Sequence, residues 1–290
     1  MDLSPAVQAW RAGGRTVRAC GMDVFVRDEG QGAVPLLVLH GMPSSSFDFA
    51  SLWPALAARR RVVALDFPGY GFSDKPEGYS YSLMEQADVV EVVARTLGIV
   101  KADVWAHDMG TSVATELLAR QAAGLLHLEV ARLVLMNGAV HAEMAHLTLA
   151  QKLLRRRAVG PLFARVVNRR IFHLQMGRVL ARPVAEGVLD DLFALVRLGD
   201  GHLRLPRIMG YYAERVRFRA RWVGALQAFP RPSLLLWGRL DPVAVFAIAE
   251  RLAGEIPHAH LQPLDDVGHY PQLEAPARVL EHLDTFLCER

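Results

Sequence analysis

The sequence predicts an α/β protein: a mostly parallel central sheet flanked by helices, with an inserted helical segment. Three observations predict it. Continuous apolar runs such as Leu36–His40 (LLVLH) and Ser233–Trp237 (SLLLW) have the character of strands buried on both faces. These runs alternate with segments of helical spacing, as in parallel strands joined by crossover helices. Between Gly138 and about Arg221 the alternation stops, and helical periodicity continues without a convincing strand. The predicted organisation is therefore a first core part (1–137), a helical cap (138–222) and a second core part (223–290).

The elements follow in order. Thr16–Ala19 and Val24–Arg27 are short strands around a hairpin turn at Gly21, and Leu36–His40 is the first buried strand. Phe47–Ala58 has helical spacing and Arg61–Leu65 is the next strand. Ser82–Leu97 is a helix whose N-cap Ser82 and Glu85, three residues on, predict a capping box. Asp103–Ala106 is a strand, Met109–Ala122 a helix and Arg132–Met136 a strand. After the cap, Ser233–Trp237 and His260–Leu264 are strands, and Val243–Ala253 and Pro276–Leu287 are helices.

Composition narrows the function. The chain has 290 residues, 52% of them hydrophobic, enough for a large core. No apolar run is long enough to span a bilayer, and residues 1–15 lack a signal peptide's apolar stretch. Two cysteines, Cys20 and Cys288, with no Cys/His cluster, argue against a metal site and a disulfide framework. A cytoplasmic protein without cofactor is the expectation. The net charge of +3 is uneven: between Gly138 and Trp222 sixteen basic residues face six acidic ones, a net +10, against −7 for the remainder. Those arginines read first as a solvated helical face. Pro161–Leu174 is basic and amphipathic, which suits a membrane surface or the cover of a pocket, and the pocket is the preferred reading.

Chemistry concentrates after the strands, where ligands of such sheets bind. The turn Ala106-His-Asp-Met-Gly110 has the nucleophile-elbow pattern with Asp108 at its centre in place of serine. A carboxylate is ionised at neutral pH and needs no base to act as a nucleophile. Attack on carbon makes an ester that a second group must help water to hydrolyse, which suits epoxides and alkyl halides better than amides. His40-Gly-Met-Pro43 follows a strand, and a backbone N–H after Gly41 can face developing negative charge. Asp66–Pro76 (DFPGYGFSDKP) is a turn-rich loop in which Asp66 and Asp74 read as structural. Asp241 follows the SLLLW strand and His269 the last strand, so the chain order is nucleophile, acid, histidine. Asp265 and Asp266 compete with Asp241 as the acid, and strand position favours Asp241. His40 reads as a hydrogen-bonded structural histidine and His107 as packed or hydrogen-bonded beneath the elbow. Met42, Met109, Trp105 and Trp237 read as pocket or core filling.

Together HGxP, DxPGxGxSDKP and an elbow aspartate make the chain resemble α/β-hydrolases of the epoxide hydrolase and haloalkane dehalogenase branch. Within that branch it resembles epoxide-hydrolase-like proteins of the mesoderm-specific transcript type. The segments HDMGTSVATELL, RARWVGAL, LDPV and HYPQLEAP carry that resemblance.

The resemblance implies Asp108 as nucleophile, Asp241 as orienting acid and His269 as base. The backbone N–H groups of Met42 and Met109 would then form the oxyanion hole. Dehalogenases of the branch carry Asn and Trp where this chain has Met42 and Met109, and methionine donates no hydrogen bond to a halide. Epoxide hydrolases place two cap tyrosines over the substrate. Here the cap offers Tyr211 and Tyr212, adjacent in sequence and so not on one helix face, with Tyr211 the better match and His141 or His146 as possible second donors.

The reading is a hydrolase forming a covalent alkyl-enzyme ester with a small hydrophobic substrate, foremost an epoxide opened to a vicinal diol. An ester, lactone or other carbon–heteroatom hydrolase is the alternative. A non-catalytic ligand-binding protein on the same scaffold is the alternative from another class, and nucleic acid is no partner in any of them.

Overall fold

The computed structural model describes residues 3–288. One eight-stranded sheet runs through the protein: β1 (Gly14–Ala19), β2 (Met22–Glu29), β3 (Leu36–Leu39), β4 (Val62–Leu65), β5 (Lys101–His107), β6 (Glu129–Met136), β7 (Ser233–Gly238) and β8 (Ala259–Leu264), in the spatial order β1-β2-β4-β3-β5-β6-β7-β8. β1 and β2 pair antiparallel, as do β2 and β4, and every other pairing is parallel. The hairpin turns at Cys20-Gly21, both at positive φ, the conformation that two-residue hairpin loops require. β3, β4 and β7 are buried at every residue, as continuous apolar runs demand when both faces are covered.

The helices are α1 (Pro5–Ala12), α2 (Trp53–Ala57), α3 (Leu83–Thr96), α4 (Met109–Ala122), α5 (Leu149–Leu154), α6 (Gly160–Val166), α7 (Arg169–Gly177), α8 (Glu186–Arg197), α9 (Leu205–Ile208), α10 (Tyr211–Arg217), α11 (Arg219–Gln227), α12 (Phe246–Glu255), α13 (Pro271–Glu274) and α14 (Pro276–Cys288). α4 packs against α3 and α11, α12 against β7 and β8, and α14 against β7. α5 to α10 form the inserted cap-like region, in which α6 contacts α5 and α9 and α7 contacts α8.

Several local expectations need correction. The helical spacing of Phe47–Ala58 resolves into a 3-10 turn (Ser46–Phe49) and the short α2, because Pro54 lacks an N–H and opens a new helix instead of continuing one. Ser82 caps α3 through the Met84 N–H, but no capping box closes: Glu85 pairs with the Ser80 hydroxyl, and Ser80 takes the Ser82 N–H. Glu214 of the cap accepts the Leu83 N–H at 2.7 Å, so a tertiary partner replaces the local one. α1 and α13 are additions to the predicted elements, each with proline in its first turn.

The proposed cap boundary at residue 222 falls inside α11, which packs on α4. Arg221 and Trp222 both donate to Glu116 of α4, at 2.8 and 2.9 Å, and Arg120 adds a third donor at 2.9 Å. Two of the motif segments quoted above, HDMGTSVATELL and RARWVGAL, thus meet across one buried carboxylate.

Candidate active site

Asp108 sits at the end of β5 with φ 45° and ψ −110°, a strained turn that lifts its side chain clear of the strand before α4 begins. Its carbonyl oxygen accepts the Thr111 N–H at 3.1 Å, the Thr111 hydroxyl at 2.6 Å and the Arg215 Nη2 at 3.0 Å, so three donors hold the conformation. Two glycines make the elbow fit. A Cβ on Gly110 would lie 2.5 Å from the Leu39 carbonyl oxygen, and one on Gly41 would lie 2.7 Å from the Asp108 Cβ.

That close approach puts the Met42 N–H 3.0 Å from Asp108 Oδ2. Met109 is the first residue of α4, and N–H groups there have no partner within the helix. Burial pushes the Asp108 carboxyl upward, but Arg215, His269, His107 and the Met42 N–H together hold it below its ordinary value.

His269 and Asp241 meet as the chain order predicts. Nδ1 of His269 lies 2.7 Å from Asp241 Oδ2. The same oxygen accepts Asn137 Nδ2 at 2.7 Å, while Oδ1 accepts the N–H groups of Val243 and Ala244 at 2.7 and 3.1 Å. Every lone-pair direction of this buried carboxylate is occupied, which fixes the imidazole orientation. Burial alone would lower the His269 pKa. Asp241, by charge and hydrogen bond, and then Asp108 and Glu274 outweigh it and raise the imidazole to about 9. Asp265 and Asp266, the competing acids, are exposed and pair with arginines instead.

The supporting histidines are structural. His40 Nδ1 contacts the Gly41 carbonyl at 2.8 Å and Nε2 accepts the Phe67 N–H at 2.9 Å, tying two loops together. His107 Nε2 donates to the His269 carbonyl at 2.7 Å, while Gln272 donates to its Nδ1 at 3.2 Å. Burial and the His269 charge lower the His107 pKa to about 4, so it stays neutral. Asp66 accepts Ser46 and Phe72 N–H groups, and Asp74 the Asp23 N–H, which shapes the turn-rich loop.

The cap residues divide. Tyr211 is buried beside Asp108, and burial, then the Asp108 charge, push its phenol well above the ordinary value. Tyr212 turns the other way, donating to the Ala142 carbonyl at 3.0 Å beneath Arg155, and does not face the elbow. Neighbours in a helix point about 100° apart, so only one of the pair can. Trp105 is likewise core rather than pocket, edge-on to Phe49 at 4.7 Å. His141 is held by Glu255 and Glu143, and His146 is exposed, so neither supplies a second donor.

Several residues here were not singled out from the sequence. Arg215, 2% exposed, lies with Nη2 3.6 Å from Asp108 Oδ1, and its Nε donates to Ser112 at 2.8 Å. Its guanidinium is stacked over the Tyr211 ring at 4.6 Å, and the i, i+4 spacing of those two was the available signal. Tyr70 from the turn-rich loop is fully buried near Asp108, its hydroxyl donating to the Met109 sulfur at 3.1 Å. Asn137, at positive φ after β6, links Asp241 to Gly238. Glu274 accepts N–H groups of Gly268, Tyr270, Ala181 and Arg182, clamping the His269 loop to the cap.

Above His269 lies an apolar cavity of about 840 Å³, counting the space at its mouth. Met42, Val243, His269 and Tyr270 line it from the core, with Phe163, Phe172 and Met176 among the side chains facing it from the cap. Such a lining suits a small hydrophobic substrate.

The family of the alpha/beta hydrolase fold matches residues 34–276. Over 284 residues the chain is 44% identical to a putative hydrolase, LipZ, of Mycobacterium tuberculosis, covering 96% of each protein. It is 38% identical to the mesoderm-specific transcript protein of Mus musculus, over 95% of this chain and 86% of that one. Among solved structures, haloalkane dehalogenase DbeA from Bradyrhizobium elkani superposes with a TM-score of 0.79 at 25% identity, covering 94% and 97% of the two chains. Fold, motif order and sequence agree: this chain belongs to the α/β hydrolase fold family and carries its hydrolase scaffold.

Proposed function

We propose that the protein hydrolyses an epoxide to a vicinal diol through an ester on Asp108. The observation that carries this reading is a buried Asp108 with the Met42 N–H on one oxygen and Arg215, stacked on the buried Tyr211, beside the other, while the buried Tyr70 bonds to the adjacent Met109. Asp108 Oδ2 is taken by Met42, so Oδ1, with only the longer Arg215 contact, is the oxygen free to attack.

Oδ1 attacks a ring carbon, the carbon–oxygen bond of the ring breaks, and the released oxygen takes a proton from a tyrosine hydroxyl. Tyr211 comes from the cap and Tyr70 from the core, which replaces the pair of cap tyrosines implied by the resemblance. The Tyr70 hydrogen bond ends on a thioether, a weak acceptor, so redirecting it to a substrate oxygen costs little.

In the second step His269 takes a proton from water, which adds to the Asp108 carbonyl carbon. The Met42 and Met109 N–H groups hold the resulting oxyanion, and a donor of this kind contributes about 2.7–4 kcal/mol to catalysis. The tetrahedral species collapses, the remaining proton of the attacking water passes to the departing oxygen so that the diol leaves and Asp108 is again a carboxylate, and the His269 proton returns to the tyrosinate. Ester formation removes the Asp108 charge that helps to raise His269, so the imidazole pKa falls and more of it is in the neutral form that can take a proton from water.

Turnover of an epoxide panel in heavy-oxygen water tests this directly. Label entering Asp108 over several turnovers supports the ester, because hydrolysis at the carbonyl exchanges a carboxylate oxygen. Epoxide turnover that survives Asp108→Ala would sink it, and hydrolysis of simple esters or lactones with no epoxide turnover would favour the ester or lactone hydrolase alternative.

A further inference from the structure

The stretch 149–178 carries Lys152 and seven arginines (Arg155, Arg156, Arg157, Arg165, Arg169, Arg170, Arg178) and no Asp or Glu. All eight are exposed. Only Arg169 pairs with acidic side chains among the described residues, through Asp190 and Glu186 of α8.

The same thirty residues hold five of the ten exposed large apolar side chains among the described residues: Leu149, Val159, Leu162, Val166 and Leu174. Leu162 and Val166 are more than 60% exposed and one helical turn apart on α6, with Val159 just before them on the same face. The other five lie apart from these: Val34, Val100, Leu125 and Leu240 in the core, and Val216 on α10 of the cap.

The amphipathic stripe expected to cover a pocket does so with Phe163, Ala164, Ile171 and Phe172, which line the cavity. The outward apolar residues are therefore a second set, left in water beside unpaired arginines. A lone exposed leucine needs no explanation, but five exposed apolar side chains within thirty residues that carry eight basic residues and no acidic one do.

We propose that the outer face of α5, α6 and α7 docks the protein on an anionic lipid bilayer. The apolar side chains enter the headgroup boundary, and the basic side chains other than Arg169, which pair with no acidic side chain among the described residues, meet lipid phosphates. The cavity then lies one helix diameter from the membrane, on the inner face of the helices that touch it. This inference stands on surface chemistry and does not depend on the reaction assigned to Asp108.

The test is flotation of the full chain with vesicles of phosphatidylcholine alone or mixed with phosphatidylglycerol, at low and high salt. Binding to the mixed vesicles that weakens with salt is expected. Arg156→Gln with Arg157→Gln lowers the partition coefficient about 25-fold, the product of two lost charges at about fivefold each. Leu162→Glu with Val166→Glu abolishes binding. Both pairs are exposed, so unchanged circular dichroism and unchanged melting temperature accompany the loss. Equal binding to neutral and anionic vesicles, or variants that bind like the parent, overturns the proposal. Absence of vesicle binding, with a dimer in sedimentation velocity that Leu162→Glu and Val166→Glu dissolve, also overturns it and assigns the face to a second copy of the chain.

Discussion

The guanidinium of Arg215 lies 3.6 Å from Oδ1 of Asp108 and donates at 3.0 Å to the carbonyl oxygen of the same residue. One cap side chain therefore both fixes the strained elbow backbone and stabilises the charge on the candidate nucleophile.

Removing that guanidinium by Arg215→Met leaves the Asp108 charge buried without its main counter-charge. The Asp108 pKa then rises, because Arg215 is the largest of the effects lowering it. A nucleophile must be ionised, so the acidic limb of the pH–rate profile moves to higher pH. Breaking a buried ionic contact typically costs about 3–5 kcal/mol of stability. Denaturant unfolding of Arg215→Met and of the double variant Asp108→Asn/Arg215→Met measures it, the double variant losing less than the sum of the singles.

His269→Gln keeps the nucleophile and removes the base. Single-turnover reaction with an epoxide is expected to leave a stable adduct on Asp108, read by intact-protein mass spectrometry, while steady-state turnover falls by about 10⁴ or more. Equal loss of adduct formation and of turnover would show that His269 acts before the ester exists.

The charge of Asp108 helps hold His269 near 9. In Asp108→Asn that charge is absent, and the imidazole titrates at lower pH in ¹³C or ¹⁵N spectra. Because a base must be neutral, ester hydrolysis in the parent rises with pH through the value of the ester form, which lies below that of the free enzyme. Stopped-flow measurement of the second step across pH checks the sign.

Tyr70→Phe and Tyr211→Phe each slow the ring-opening step, by about 10²–10⁴ for a positioned proton donor. Tyr212→Phe leaves that step unchanged and costs about 1 kcal/mol of stability, since its hydroxyl only donates to the Ala142 carbonyl. A Tyr212→Phe defect as large as that of Tyr211→Phe would reverse the assignment of the two residues.

Glu274 holds four N–H groups from two chain segments about ninety residues apart. Glu274→Ala leaves those donors buried and unpaired, with an expected loss of about 3–5 kcal/mol and a parallel loss of ester hydrolysis as the His269 loop loosens. Thermal unfolding and single-turnover kinetics report the two effects separately.

Much of this site was legible in the chain. Leu36–Leu39 and Ser233–Gly238 are read as buried strands from apolar runs alone, and the residue after each such strand lands at the same end of the sheet. Asp108, Asp241 and His269 stand out because strand ends and small turn residues mark their positions locally. Asn137 carried a weak signal, a polar residue closing the strand LVLM, and its role needed the geometry of β6 beside β7.

The sequence alone determined the strand–helix alternation, the elbow and the order of the three candidate reactive groups, because each is marked by a local pattern within about ten residues of chain. Tertiary structure decided which cap side chains face the elbow. Among fifteen cap arginines, charge patterning does not mark Arg215 as the buried one, and adjacency does not separate Tyr211 from Tyr212. Burial depends on how α10 is rotated against the core, which packing partners a hundred residues away impose, Glu116 on Trp222 and Ser112 on Arg215. Local pattern therefore places the candidate nucleophile, and only the folded cap selects the cation that meets it.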